Sequence, residues 1–107
     1  MGAFDQREKG FENQFAHEEE LKFRATARRN SLLGLWAAGK LGLFGQKAEA
    51  YAKALVASDV EASGAFDVFG KIRRDFEAKG LHLSDREIRR TMTDFMTQAI
   101  AEIRTTP

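Results

Sequence analysis

LKFRATARRNSLLGLWAAGKLGL, residues 21–43, is polar and basic in its first half and apolar nearly all round from Leu32 to Ala38. A helix greasy on every side belongs in the middle of a helical protein, wrapped by partners. The pattern predicts a first helix from about Glu18 to Leu43 that packs Leu21, Ala25, Leu32, Leu35, Trp36 and Leu43. Arg24, Arg28 and Arg29 mark its wetter half, and Gly42 and Gly45 supply the stop.

Working outward from it toward the carboxyl terminus, three further segments carry apolar residues at helical spacing. Residues 46–59 place Ala48, Tyr51, Ala52, Leu55 and Val56 on one face, leaving Lys47, Glu49 and Lys53 for water. Glu61-Ala62-Ser63-Gly64 lacks periodicity and reads as a loop. Residues 65–79 repeat Phe66, Phe69, Ile72 and Phe76 at successive turns, with Gly80 placed to end the helix in a left-handed conformation. Ser84 and Glu87 form the S-x-x-E capping pattern. Behind it Ile88, Met92, Phe95, Met96, Ala99 and Ile103 make the cleanest apolar stripe in the chain, running to about Arg104. The sole proline is Pro107, so no internal segment is barred from being helical. Four apolar faces joined by short connections predict an all-α fold, a small four-helix bundle over residues 18–107.

Upstream of the bundle, residues 1–17 are different in kind. Phe4, Phe11 and Phe15 stand alone in a polar, acidic stretch. Residues 1–20 hold six acidic side chains against Arg7 and Lys9, about −4, and the remaining 87 residues carry fifteen bases against ten acids, about +5. On a helix the three phenylalanines fall on one stripe, with Arg7, Glu8 and Glu12 close beside it. A narrow aromatic stripe on a charged segment suits a helix that folds into a partner's groove. The segment reads either as a helical continuation of the first helix or as a mobile arm; Gly10 disfavours a permanently stable helix there, so we expect a partly disordered arm that is transiently helical. Two competing readings stay open: the phenylalanines cover one end of the bundle, or the acidic arm docks back on its own basic body.

Other chemistry is scarce. Cysteine is absent, which removes disulfides, thiolate nucleophiles and zinc-thiolate sites. No apolar run approaches the roughly 18 residues of a membrane span, and the start MGAFDQRE does not look like a secretory signal. The expected setting is cytoplasmic and soluble, without membrane insertion. His17, beside Glu18, Glu19 and Glu20, and His82 are the only histidines, and neither has the spacing of a triad or metal site. Gly39, Gly42 and Gly45 lack the lysine and hydroxyl of a phosphate loop. No metal, cofactor or enzymatic activity is expected. Arg28, Arg29, Arg73, Arg74, Arg89 and Arg90 are candidate anion ligands, which keeps weak binding of an adenine nucleotide or phosphate between helices as a second reading. Nucleic acid is disfavoured by the near-neutral net charge of +1 and the lack of interleaved aromatics.

Three stretches together bear a resemblance to a known family. FDQREKGFENQFAHEEEL at 4–21, ARRNSLLGLWAA at 27–38 and YAK at 51–53 resemble the zeta subunit of alphaproteobacterial ATP synthases, an inhibitor of the F1-ATPase. The resemblance covers about half the chain; the family pattern has more charge at Ser31 and Gly39 and an acidic, proline-bearing loop where this chain has Val60 to Ala65. It implies a four-helix bundle whose amino-terminal region inserts at a catalytic α/β interface of the F1 head, near the rotor shaft, and blocks rotation during ATP hydrolysis. Its implied partners are the α, β and γ subunits, which would hold the protein at the cytoplasmic face of the membrane. Carried onto this sequence, the inhibitory role falls on Phe4, Asp5, Arg7, Glu8, Phe11, Glu12 and Phe15.

Overall fold

The computed structural model describes the backbone of residues 2–61 and 68–105 and the side chains of residues 18–59 and 68–104. Within these bounds the chain forms four helices and no strand: α1 (Gly2–Lys40), α2 (Gln46–Glu61), α3 (Val68–Ala78) and α4 (Asp85–Thr105). Helix α1 is the spine, with α2 and α4 packed along it and α3 closing over α1 and α4. Helix α2 runs to Glu61, two residues past the expected Asp59, and so takes in the first residue of the expected loop; Ala62, Ser63 and Gly64, and the expected core residue Phe66, lie outside the described residues.

Helix α1 starts at Gly2, not near Glu18, and ends at Lys40, three residues before the expected Leu43. The early start has a simple cause. Nothing from residue 2 to 17 is worse for a helix than Gly10, and one glycine costs about 1 kcal/mol relative to alanine. Growth from turns already fixed in the bundle needs no new nucleus, which is the expensive step in isolated peptides. The end of α1 is set by Gly42, whose φ of +83° closes the helix through bonds from Gly42 N to Gly39 O (3.1 Å) and Leu43 N to Ala38 O (2.8 Å). The same arrangement ends α3 at Gly80, with Leu81 N bonded to Phe76 O at 2.8 Å. Both are Schellman closures, in which the backbone must turn left-handed and a side chain would add strain. At the head of α4 the Ser84 hydroxyl accepts the Glu87 amide hydrogen at 3.1 Å, as the S-x-x-E pattern predicts.

The core gathers Leu33 and Ala37 of α1, Leu55 of α2, Val68, Phe69, Ile72 and Phe76 of α3, and Ile88 of α4. Trp36 meets Phe76 with ring centroids 5.7 Å apart and planes tilted by 59°, a favourable edge-leaning geometry. The expected faces of α3 and α4 are those observed. On α1 Ala25 is buried and Trp36 packs against the core as expected, but Leu35 is 43% exposed and Leu33 is fully buried instead. The reason is the approach of α2. A Cβ built on Gly34 would lie 2.7 Å from the Cα of Ala52, so the two backbones nearly touch there, and Asn30, Leu33, Ala37 and Ala38 are the positions of α1 buried with it. Leu35 points away from that contact.

One buried residue is polar. Asn30, on α1, is wholly buried, and both ends of its amide are satisfied. Its Nδ2 donates to Asp59 Oδ2 on α2 at 2.8 Å, and its Oδ1 accepts from Arg29 Nε at 2.8 Å. No buried side-chain nitrogen or oxygen among the described residues lacks a partner. On the other side of α2, the Tyr51 hydroxyl donates to Asp75 Oδ2 of α3 at 2.6 Å, and Lys71 Nζ reaches the same oxygen at 3.0 Å. The two networks fasten α2 to the helices on either side of it.

Candidate partner-binding surface

The feature that sets this bundle apart is the unequal length of its helices. Helix α1 has 39 residues, against 16 for α2 and 21 for α4. At 1.5 Å per residue α1 is about 58 Å long, nearly twice the roughly 32 Å of α4. The antiparallel α4 brings its last turns abreast of Glu18 to Ala25. Helix α1 therefore runs on past the end of α4 for its first four turns or so. Phe4, Asp5, Arg7, Glu8, Phe11, Glu12 and Phe15 all belong to this overhang, and their side chains, like that of His17, lie outside the described residues.

At the root of the overhang the bundle is thinner. Asp59, two residues from the end of α2, sits against Asn30, so residues 18–27 of α1 have α4 as their neighbour among the described helices. This leaves apolar side chains partly in water: Phe23 is 60% exposed and Ile100 38%. Leu21 and Ala25 of α1 and Met96, Ile100 and Ile103 of α4 wall an open groove of about 390 Å³, with Glu18, Lys22 and Arg104 at its rim. Behind it, Arg28 Nε holds Glu102 Oε2 at 2.7 Å and ties the two helices together. That bond, together with one from Gln98, draws the Glu102 carboxyl below its ordinary pKa.

The six arginines singled out as anion ligands do not form one site. Arg28 is bound to Glu102, and Arg73 is bound to both Glu77 (3.2 Å) and Asp85 (3.0 Å). Arg89 stacks on Phe69, its guanidinium carbon 4.0 Å from the ring centroid. Arg29 bonds to Asn30, and burial lowers its pKa from the ordinary value while Asp59 acts in the opposite sense. Arg74 and Arg90 are exposed and have no ion pair among the described residues. Only Arg29 and Arg89 come together, on a shallow depression with Met92, Thr93, Met96 and Thr97. Exposed His82 lies elsewhere, beside Arg73 and Asp85 near the turn from α3 to α4. Among the described residues no group of three or more histidine, cysteine or carboxylate side chains could hold a metal ion. No described helix is long and apolar enough to cross a membrane.

The apolar groove at the root of α1 was not anticipated. Its α4 wall was visible as part of the long stripe, but nothing in the spacing showed that α2 would stop short of it. What could have signalled it is the length of the stripe itself, which runs to Ile103 although α2 and α3 are short.

Among the described residues, then, a long helix overhangs a compact bundle, with an apolar groove at the root of the overhang. The comparisons give the chain its family. The profile of the ATPase inhibitor subunit zeta family matches residues 1–102, and the chain belongs to that family. A solution NMR structure of a protein 38% identical in sequence superposes with a TM-score of 0.65, covering 78% of this chain and 95% of that one. No curated protein matches the chain. Membership makes the role that of an ATPase inhibitor and its partner an F1-ATPase.

Proposed function

We propose that the protein inhibits ATP hydrolysis by F1 through the amino-terminal overhang of α1, which inserts at a catalytic α/β interface near the γ subunit and blocks rotation. The observation that carries this reading is the continuity of α1 from Gly2 into the bundle. An isolated peptide of this length is a marginal helix in water, because nucleation is costly. Here the nucleus is supplied by turns that the bundle holds in place, and the overhang has only to propagate.

The energetics favour this arrangement. Phe4, Phe11 and Phe15 each contribute about 1.5–3 kcal/mol on full burial, while ordering a residue costs roughly 1–2 kcal/mol. Three anchors cannot order fifteen free residues by themselves. A helix already grown from the bundle needs less ordering, so more of the anchor energy appears as binding. Asp5, Arg7, Glu8 and Glu12 set register and reject wrong partners rather than supplying most of the affinity. The protein acts as a wedge, not a catalyst, and it stays at the cytoplasmic face of the membrane by holding F1. The test is an ATP hydrolysis assay on purified F1 with the whole chain and with a chain lacking residues 1–17: loss of inhibition by the shortened chain, with its cooperative melting retained, supports the reading, and undiminished inhibition opposes it.

A second reading rests on the meeting of Arg29 and Arg89 at one depression. In it the bundle senses an adenine nucleotide or phosphate there, with Arg28, Arg73, Arg74 and Arg90 outside the ligand's reach. Saturable chemical-shift changes at Arg29, Arg89 and Thr93 on adding ATP or inorganic phosphate support it; their absence removes it.

A further inference from the structure

The helix face on which Phe4, Phe11 and Phe15 fall by spacing continues past the start of the bundle. Phe11, Phe15, Glu18, Lys22 and Ala25 succeed one another at intervals of four, three, four and three residues, and Phe4 stands seven before Phe11. That alternation keeps residues on one face of an α-helix. Helix α1 is continuous across all of them. The face carrying the phenylalanines therefore runs directly into the groove walled by Leu21, Ala25, Met96, Ile100 and Ile103.

We propose that this groove is the second half of the inhibitory interface and receives an amphipathic helix of the same F1-ATPase that captures the overhang. This inference rests on the reading of the overhang as the inhibitory element. The occupant presents aliphatic side chains to Ile100 and Met96 and acidic side chains to the rim, where Lys22 and Arg104 outnumber Glu18. Three features select it. The groove is apolar and lies between two helices, as a helix ridge requires. Its rim carries a surplus of positive charge, which favours an acidic flank on the partner. It also continues, without a change of face or a break in the helix, the surface already assigned to that partner.

The arrangement explains how a short arm can hold its position. A wedge anchored only by its tip pivots about its root; contact at the root fixes the angle at which the overhang enters.

The test uses the full chain in three forms: unaltered, Ile100→Asp, and the rim reversal Lys22→Glu with Arg104→Glu. Each is assayed for the concentration that half-inhibits F1 hydrolysis and checked by thermal melting and sedimentation. Both altered chains should need at least about tenfold more protein for half-inhibition, the loss expected from one interface anchor. Lys22 and Arg104 are exposed, so the rim reversal decides the matter should Ile100→Asp melt early. Unchanged inhibition by both variants overturns the groove while leaving the overhang reading in place. Full inhibition by a chain with Phe4, Phe11 and Phe15 all replaced by alanine would instead overturn the overhang reading. Self-association of the unaltered chain that the rim reversal abolishes would make a second copy the occupant and overturn the inference.

Discussion

Asn30 Nδ2 donates a hydrogen bond to Asp59 Oδ2 across α1 and α2 at 2.8 Å, and Asn30 is wholly buried. Buried amides stabilise a fold only when fully paired, and this one also accepts from Arg29. It fixes the register of α2 on α1 at the level where α2 ends and the groove begins. Replacing Asn30 with alanine removes a partner from Asp59 and from Arg29. Chemical denaturation should show a loss of about 1–3 kcal/mol. Inhibition of F1 measured well below the melting temperature should be unchanged, because Asn30 faces α2 and not the groove.

Glycine at position 34 is required by space. Gly34→Ala gains about 1 kcal/mol of helix propensity but drives a methyl into the backbone of Ala52, where overpacking costs about 1–3 kcal/mol. The net effect should be a lowered melting temperature. Gly39→Ala, in the same helix with nothing within 4 Å of the added methyl, should raise it slightly. Thermal unfolding of the pair followed by circular dichroism makes the comparison.

Tyr51 is the only tyrosine, so its ionisation can be followed directly in the ultraviolet. Burial, and then the hydrogen bond to Asp75, push the phenol well above its ordinary pKa of 10.0. A group whose folded pKa is raised contributes fully below its unfolded value and loses that contribution as pH climbs toward the folded one. The native protein should therefore show no phenolate step near pH 10.0. The urea-unfolded chain should show one, and native stability should fall as pH rises above that value. Tyr51→Phe should flatten this alkaline decline.

At the acid end the relevant pair is Arg28 and Glu102. Its hydrogen bonds, from Arg28 first and Gln98 second, lower the Glu102 pKa from its ordinary 4.5. Stability from this pair is present above that value and disappears as pH falls through the lowered one. Glu102→Gln should make the acid limb of the stability curve shallower, as urea titrations at a series of acidic pH values will show. The effect should be small, because the pair lies at the surface.

The sequence revealed most where one face of a helix meets water. In α3 and α4 polar and apolar residues alternate at helical spacing, and Phe69, Ile72, Phe76 and Ile88 are buried as expected. Local signals were equally plain: Gly80 closes α3 through its backbone and Ser84 opens α4 through its hydroxyl. Legibility failed along α1. From Leu32 to Ala38 every side is apolar, so pattern cannot choose between Leu33 and Leu35; the choice is made by Ala52 of α2 lying against Gly34. Asn30 failed for the same kind of reason, since its burial depends on Asp59, 29 residues away. The groove depends on where α2 ends relative to α4, a matter of packing rather than of any one segment.

The most direct measurement is inhibition of F1 hydrolysis by a full chain in which Phe4, Phe11 and Phe15 are all alanine. The substituted turns precede Glu18 to Ala25, where the last turns of α4 lie alongside α1, so on this account the bundle should melt as before. Losing three buried anchors at about 1.5 kcal/mol or more each should raise the half-inhibiting concentration by roughly a thousandfold, in effect abolishing inhibition. Undiminished inhibition by this chain, with its melting transition intact, would contradict the account.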